Sequence, residues 1–202
     1  MKYIIYDTES TGFLKRDEVI EFGCIVADER FVPKGYYRFY CYTQVPIAPG
    51  AAKVNGLSAS KLMELSDGDT FEDMFFKLPF VKDKDLVWVS YSRGGFDERL
   101  INQTLRNNGL PAYGFGERKR FFQKDPGYVL DAYAALQTRV FDGKSKKLAQ
   151  ALLELGISER QFDEYFYKVT GHKATFHEAL YDSLVLWYVV NHYKKRLSFE
   201  LL

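Results

Sequence analysis

The most constraining feature of the sequence is the stretch YIIYDTE near its beginning. Four large apolar or aromatic residues, 3–6, are followed at once by Asp7, Thr8 and Glu9. The apolar run is typical of a buried strand, and because successive side chains of a strand point to opposite faces, Asp7 and Glu9 project from the same face. Two carboxylates so close together repel each other unless a proton or a cation lies between them. The sequence therefore predicts a central strand that ends in a site for a proton or a metal ion.

Length, charge and cysteine use narrow the class of protein. The 202 residues fit a single domain, 1–202, that is long enough for a sizeable core. A net charge of +1 excludes a polybasic nucleic-acid binder, so contacts with nucleic acid would come from a local patch. Cys24 and Cys41 lie in apolar runs and are expected to be buried free thiols in a reducing compartment. The apolar run 184–190 is too short to span a bilayer, and we expect a cytoplasmic protein with no membrane contact.

The order of predicted elements indicates an α/β fold. Strands are expected over residues 3–6, 19–27, 36–45, 86–89 and 128–130. Helices are expected over residues 58–77 and 96–107 and, with breaks, from 132 onward. Short connections favour antiparallel pairing of the first three strands, whereas helical crossovers join the later strands in parallel. The predicted architecture is a mixed five-stranded sheet, three strands antiparallel and the others parallel, flanked by helices.

Three further acids stand where strands end or a helix faces a core. Asp97 follows the 86–89 strand at the point where the chain enters a helix, and Asp131 ends the next strand. Asp182 lies in a helical stretch whose apolar residues 180, 184, 187 and 188 recur at helical spacing. Because the neighbours of Asp182 face the core, we do not expect Asp182 to be an ordinary solvated charge on the surface.

His177 precedes Asp182 by five residues, a spacing that does not place both on one narrow helical stripe. It can reach the same site only from a loop or from the first helical turn. Thr175 as N-cap with Glu178 three residues later fits a capping box and predicts the first turn for His177. There the helix dipole favours the neutral imidazole that a general base needs.

Each pattern has an ordinary structural explanation when taken alone. Asp-x-Glu at a strand end fits a salt-bridged loop, Phe-Asp before a helix fits a cap, and a single histidine is more often structural or solvated. Short patterns of this kind recur by chance. Their joint occurrence in this order, at these element ends, favours a functional site.

The sequence resembles the DEDDh 3′–5′ exonuclease family, which includes polymerase III epsilon proofreading subunits, ribonuclease T and oligoribonucleases. DTESTGF at 7–13 is similar to its first motif, Phe96-Asp97 to the end of its second, and HEALYD at 177–182 to its third. Two weaker similarities lie at 54–58 and at Leu130-Asp131 followed by Leu148-Ala149. The resemblance extends from residue 3 to about 190.

The resemblance implies a ribonuclease H-like fold and a phosphodiester hydrolase that uses two divalent cations, Mg²⁺ or alternatively Mn²⁺. By resemblance Asp7 would bridge both ions, and Glu9 and Asp182 would complete the site of the ion that activates water. Asp97 would hold the second ion. His177 would take the proton from the attacking water.

Substrate contacts follow from the same resemblance. Thr11 and Phe13 would line the pocket for the 3′-terminal nucleotide, Phe13 by stacking or wedging against a base, although it also fits a core position. The second motif departs from the usual His-Asn-x-x-Phe-Asp, since SRGGFD stands at 92–97. Arg93 would contact a phosphate or pair with an acid. Basic clusters at 118–120, 144–147 and 194–196 are candidate phosphate contacts, and the final LSFELL is a docking segment or part of a terminal helix.

The predicted function is a metal-dependent 3′–5′ exonuclease that releases nucleoside monophosphates from single-stranded DNA in proofreading or repair. The expected partner is the 3′ end of a single strand, with a DNA polymerase or another replication protein as a second candidate. One alternative is a 3′–5′ exoribonuclease of the same family, because the choice between DNA and RNA depends on contacts to one sugar hydroxyl. Another is a non-catalytic nucleic-acid-binding module.

Overall fold

The computed structural model describes residues 2–83, 85–115, 129–174 and 176–197. The strands in these ranges are β1 (Lys2–Ser10), β2 (Val19–Ala27), β3 (Pro33–Tyr40), β4 (Leu86–Ser90) and β5 (Val129–Asp131). The helices are α1 (Pro49–Asn55), α2 (Ala59–Ser66), α3 (Phe71–Phe75), α4 (Phe96–Asn107), α5 (Ala132–Arg139), α6 (Leu148–Leu153), α7 (Glu159–Thr170) and α8 (Ala179–Tyr193). The basic cluster 118–120, residue 128, Thr175 and residues 198–202 lie outside the described residues.

The five strands form one mixed sheet in the order β3-β2-β1-β4-β5. β2 pairs antiparallel with both β1 and β3, whereas β4 pairs parallel with both β1 and β5. The predicted architecture is confirmed, with β1 as the central strand. β1 continues past the predicted 3–6 to Ser10, and β3 is displaced toward the amino terminus relative to the predicted 36–45.

The alternation of side chains along β1 divides the core into two layers. Tyr3 and Ile5 face a layer that includes α7 and α8, and Ile4 and Tyr6 face an aromatic layer that includes α3 and α4. The same alternation continues to the end of the strand, so Asp7 belongs to the face of α8 and the next residue to the face of α4. A helix N-terminus therefore approaches the end of β1 from each side of the sheet.

The predicted helical region 58–77 is helical but interrupted. The chain forms α2 and α3 there, because Asp67 (φ 52°) and Gly68 (φ 80°) adopt left-handed conformations that end α2. A new helix then starts at Thr70, whose side chain forms a capping box with Asp73. The break depends on backbone geometry that hydrophobic spacing does not encode.

Both cysteines are buried free thiols, as the sequence predicts. No helix within the described ranges is both long enough and apolar enough to cross a membrane.

Candidate active site

The end of β1 places the predicted pair of carboxylates, both half-buried, at the border of the core. In the antiparallel register with β2, Asp7 lies opposite Gly23 and Glu9 lies opposite Glu21. Directly opposed residues of a sheet share a face, so Glu21 adds a third carboxylate beside the pair. Glu21 is 1% exposed, although it lies in the otherwise apolar strand VIEFGCIVA. Glu21 lies in none of the motifs. A single acid within an apolar strand was the feature of the sequence that could have indicated its place in the site.

Gly23 determines how closely α8 approaches this pair. A Cβ atom at Gly23 would lie 2.1 Å from the backbone nitrogen of Leu180, so only glycine permits the contact. The Ser183 hydroxyl donates a hydrogen bond of 2.9 Å to the Gly23 carbonyl oxygen and fixes the helix there. Because Gly23 is the register partner of Asp7, the first turn of α8 brings Asp182 to the strand end.

Asp97 reaches the site from the opposite face of the sheet, as the second residue of α4. It is 4% exposed and accepts a hydrogen bond of 2.6 Å from the Thr8 hydroxyl. Burial raises the pKa of Asp97 to about 6, against the opposing effect of the Thr8 hydrogen bond. The side chain is thus held in place by a neighbour on β1.

His177 lies in the loop before α8, so its predicted place in the first helical turn is wrong. The helix begins at Ala179 with Glu178 as N-cap, and the Ala179 N–H donates to Glu21. His177 has a left-handed backbone (φ 69°), and its N–H donates 3.2 Å to Asp182 Oδ2. Glu178 is thus at the N-cap and not at the predicted third helical position, and this loop brings the histidine backbone beside Asp182.

The carboxylates repel one another and hold protons more strongly than usual. Burial and the nearby charges of Asp97, Asp182 and Glu9 raise the pKa of Asp7 well above its ordinary range. Burial and repulsion by Glu21 and Asp182 raise the pKa of Glu9 to about 9. Burial raises the pKa of Asp182 to about 7, although the His177 backbone hydrogen bond acts in the opposite direction.

This arrangement fits a divalent cation. Ligand atoms of Glu9, His177 and Asp182 lie within 4.8 Å of one another. Asp182 Oδ1 is buried and has no hydrogen-bond partner among the described residues, so these ranges supply no donor to a buried acceptor of the cluster. Oxygen ligands with an excess of negative charge are the donor set that Mg²⁺ and Mn²⁺ prefer.

A second charged group ties the α8 loop to the sheet. Arg38 on β3 pairs with Glu21 at 2.8 Å and with Glu178 at 2.7 Å. Burial still raises the pKa of Glu21 to about 7, against the effect of Arg38. Because Glu178 is the N-cap of α8, the bridge holds the residues that flank His177. Sequence spacing gave no signal for this contact between β2, β3 and α8.

Comparison with known proteins identifies the fold and the family. The family model described as Exonuclease (RNase_T) matches residues 4–190. The chain belongs to this exonuclease family. The resemblance read from its motifs is thereby confirmed, and so is the prediction of a nuclease domain. No curated protein matches the sequence.

Solved structures similar to this chain include several exonucleases, and the chain spans less than half the length of exonuclease I. E. coli exonuclease I in complex with a dA16 oligonucleotide has a TM-score of 0.72 at 16% identity, covering 96% of this chain and 41% of that chain. A 3′-exonuclease that recognises a histone mRNA stem-loop has a TM-score of 0.70 at 13% identity, covering 96% and 81%. The nuclease domain of 3′hExo, a DEDDh family member bound to rAMP, has a TM-score of 0.69 at 13% identity, covering 96% and 92%. These likenesses support the ribonuclease H-like fold.

The predicted substrate residues of this exonuclease differ in their surroundings. Phe13 is 83% exposed, and its ring contacts that of Phe96 at a centroid distance of 5.5 Å, so it is not a core residue. Arg93 is also exposed, in the loop between β4 and α4. Thr11 is fully buried, and its hydroxyl donates to Asp17. The structure therefore gives Thr11 a place inside the loop that carries Phe13, away from the surface.

Other charged features of the sequence have structural partners. Asp131 caps α5 by accepting a hydrogen bond of 3.0 Å from the Ala134 N–H. In the 144–147 cluster Lys146 pairs with Glu154, and in the 194–196 cluster Lys194 donates to the Asn191 side chain. These contacts favour structural roles for those residues.

Proposed function

We propose that this exonuclease hydrolyses the 3′-terminal phosphodiester bond of a single strand and releases a nucleoside 5′-monophosphate with the help of two divalent cations. The observation that carries the proposal is the cluster of Asp7, Glu9, Asp97 and Asp182, with His177 hydrogen-bonded to Asp182. By the family pattern Asp7, Glu9 and Asp182 would hold one ion, and Asp7 with Asp97 would hold the other. When bound, such ions stabilise the charge that develops on the phosphate oxygens.

The residues of the chain divide the remaining chemistry among them. A water molecule attacks the phosphorus, the bond from phosphorus to the 3′ oxygen of the penultimate nucleotide breaks, and that oxygen takes a proton from solvent. His177 accepts the proton that the attacking water loses. Its exposed position beside Asp182 leaves the imidazole free to receive that proton. A non-catalytic binding module would not need all four acids together with this histidine.

The proposed substrate is single-stranded DNA, with Phe13 stacking against a base near the 3′ end. An exposed aromatic ring beside a carboxylate site suits this contact, because base stacking is tolerant of sequence. One observation favours the RNA alternative. The structural neighbours of the chain include a 3′-exonuclease that recognises a histone mRNA stem-loop, and the 3′hExo nuclease domain is bound to rAMP, a ribonucleotide.

We also propose that residues 1–202 form one domain in the cytoplasm. The family match over 4–190 supports the first point, and the buried free thiols Cys24 and Cys41 support a reducing compartment. A proofreading role would add a DNA polymerase or another replication protein as partner, which co-purification from a source cell would test.

The test of the function uses 5′-labelled single-stranded DNA and RNA of matched sequence, incubated with Mg²⁺, with Mn²⁺ or with EDTA. We expect a ladder that shortens from the 3′ end, disappears in EDTA and stops at a 3′-phosphate block. The Asp7→Asn variant, which keeps the shape of the side chain, is the matched control and should yield no ladder. The faster of the two substrates decides between DNA and RNA. Full-length substrate after incubation of folded wild-type protein with either ion would overturn the proposal.

A further inference from the structure

A groove of about 510 Å³ runs along α4 beside the predicted active site. One wall is the loop of residues 12–15, and the other is a stripe of side chains on α4. We call the space between these two walls the α4 groove. The stripe consists of Phe96, Arg99, Gln103 and Arg106, which share one face of the helix because they are spaced by three or four residues. Neither the motifs nor the acidic cluster accounts for this groove.

The groove begins at the catalytic end of the helix. Its first residues are Phe13 and Phe96, whose rings are in contact, and Asp97 follows Phe96 on the buried side of the same turn. At a rise of about 1.5 Å per residue, Arg106 lies roughly 15 Å farther along the axis from Phe96. A strand whose 3′ end lies at the acids and whose bases contact Phe13 can therefore continue along the helix.

The walls of the groove are fixed before any ligand binds. The Gln103 side-chain amide donates to the carbonyl oxygens of Leu14 (2.9 Å) and Asp17, and Asn107 donates to that of Arg16 (3.3 Å). These bonds join the 12–17 loop to α4 along its length. A preformed groove binds its ligand with a smaller loss of conformational entropy than a mobile loop would.

The charge of the groove is positive. Lys15, Arg99 and Arg106 line it and are exposed, and within the described ranges none of them forms an ion pair. The nearby acid Asp17 is buried and accepts hydrogen bonds from the Leu14 N–H and the Thr11 hydroxyl, so it turns away from the groove. In a chain of net charge +1, three unpaired cations on one groove form a local site for a polyanion.

We propose that the α4 groove binds the phosphodiester backbone of the single strand upstream of its 3′ end, with Arg99 and Arg106 as the phosphate contacts. This inference rests on the proposed function for its substrate class. Guanidinium groups bind phosphate through paired hydrogen bonds, and cations beside exposed aromatic rings are the usual means of holding single strands. Positive charge here also offsets the repulsion between the acidic cluster and the incoming polyanion. The groove thus makes affinity depend on strand length.

The test compares wild type with the Arg99→Gln/Arg106→Gln double variant in two assays. Fluorescence anisotropy with a labelled single strand of about 16 nucleotides, in EDTA, measures binding apart from hydrolysis. Loss of two phosphate contacts should weaken binding by about tenfold and reduce the slope of log affinity against log salt by about 1.4. In Mg²⁺, kcat/KM should fall about tenfold for the same strand but change by less than about twofold for a dinucleotide with a 5′-hydroxyl, whose only phosphate is the scissile one.

The matched control is Arg160→Gln/Lys168→Gln, which removes two exposed cations from α7 on the opposite face of the sheet. It should bind and cleave like wild type. Equal losses in both double variants would mean that net charge alone matters, and equal losses on the long strand and the dinucleotide would place the arginines in the catalytic site. Either result would overturn the proposal that the α4 groove binds the phosphodiester backbone. Failure of wild type to hydrolyse any substrate would overturn the proposed function alone, since the anisotropy comparison decides the groove separately.

Discussion

The N-termini of α4 and α8 each deliver an aspartate to the end of β1, but they hold it differently. Asp97 on α4 is fixed by a 2.6 Å hydrogen bond from Thr8, and its pKa rises only to about 6. Asp182 on α8 has a buried oxygen, Oδ1, without a donor, and its pKa rises to about 7. The α4 aspartate is therefore held by a hydrogen bond within the chain, whereas the α8 aspartate carries buried charge that a cation would offset.

The largest effect should come from removing either aspartate. Asp182→Asn and Asp97→Asn should each lower kcat by more than about 10³-fold, since each removes a charged ligand of a proposed ion. Their stabilities should differ. In EDTA at about pH 8, Asp182→Asn should raise the melting temperature more than Asp97→Asn, because burial and the charges of Glu21 and Glu178 raise the pKa of Asp182 further than that of Asp97.

Rates from single-turnover cleavage and melting curves of both variants check this contrast. Substantial activity in either variant would contradict the assignment of both aspartates as metal ligands. A larger rise in melting temperature for Asp97→Asn than for Asp182→Asn would contradict the claim that more repulsion is concentrated at the α8 aspartate.

His177→Ala should lower kcat by about 10²-fold or more, the usual contribution of a general base. It should leave Mg²⁺ affinity near that of wild type, because a base receives a proton and does not hold the ion. Calorimetric titration with Mg²⁺, with single-turnover rates measured in parallel, separates the two roles. A large loss of Mg²⁺ affinity would show that His177 is a metal ligand. The distances also fit that role, since the ligand atoms of Glu9, His177 and Asp182 lie within 4.8 Å of one another.

Gly23→Ala should have a smaller effect on rate and a clear effect on stability. The added Cβ would lie 2.1 Å from the α8 backbone, so the helix must shift away from β2 at a cost of about 1–3 kcal/mol. Displacing Asp182 from Asp7 should lower kcat without lowering it to the level of Asp182→Asn. Urea unfolding and kcat together check this, with Gly50→Ala as control, since a Cβ there meets nothing within 4 Å. An unchanged free energy of unfolding would contradict the claim that Gly23 permits the close approach of α8 to β2.

The site was predictable where its residues are close in sequence or carry a motif. Alternation on β1 placed Asp7 and Glu9 on one face, and the motifs located Asp97, His177 and Asp182. Glu21 and Arg38 were missed because they join the site through strand pairing, which local spacing does not encode. The position of His177 was mispredicted for a similar reason. Glu21, distant in sequence, accepts the hydrogen bond from the Ala179 N–H at the start of α8, and local spacing does not encode this contact.

The central claim is that the acidic cluster at the end of β1 binds a divalent cation. Its most direct test is the melting temperature as a function of pH with and without Mg²⁺. The folded pKa values of Glu9 (about 9) and Asp182 (about 7) lie above unfolded values of about 4. The folded state therefore holds more protons at these two groups, and their contribution to stability is full below about pH 4 and declines as pH rises through the folded values. In EDTA the melting temperature should fall between about pH 5 and 9, and Mg²⁺ should raise it more at about pH 8 than at about pH 5, because only ionised carboxylates bind the ion. A melting temperature that stays level over this range in EDTA and does not respond to Mg²⁺ at pH 8 would contradict the account.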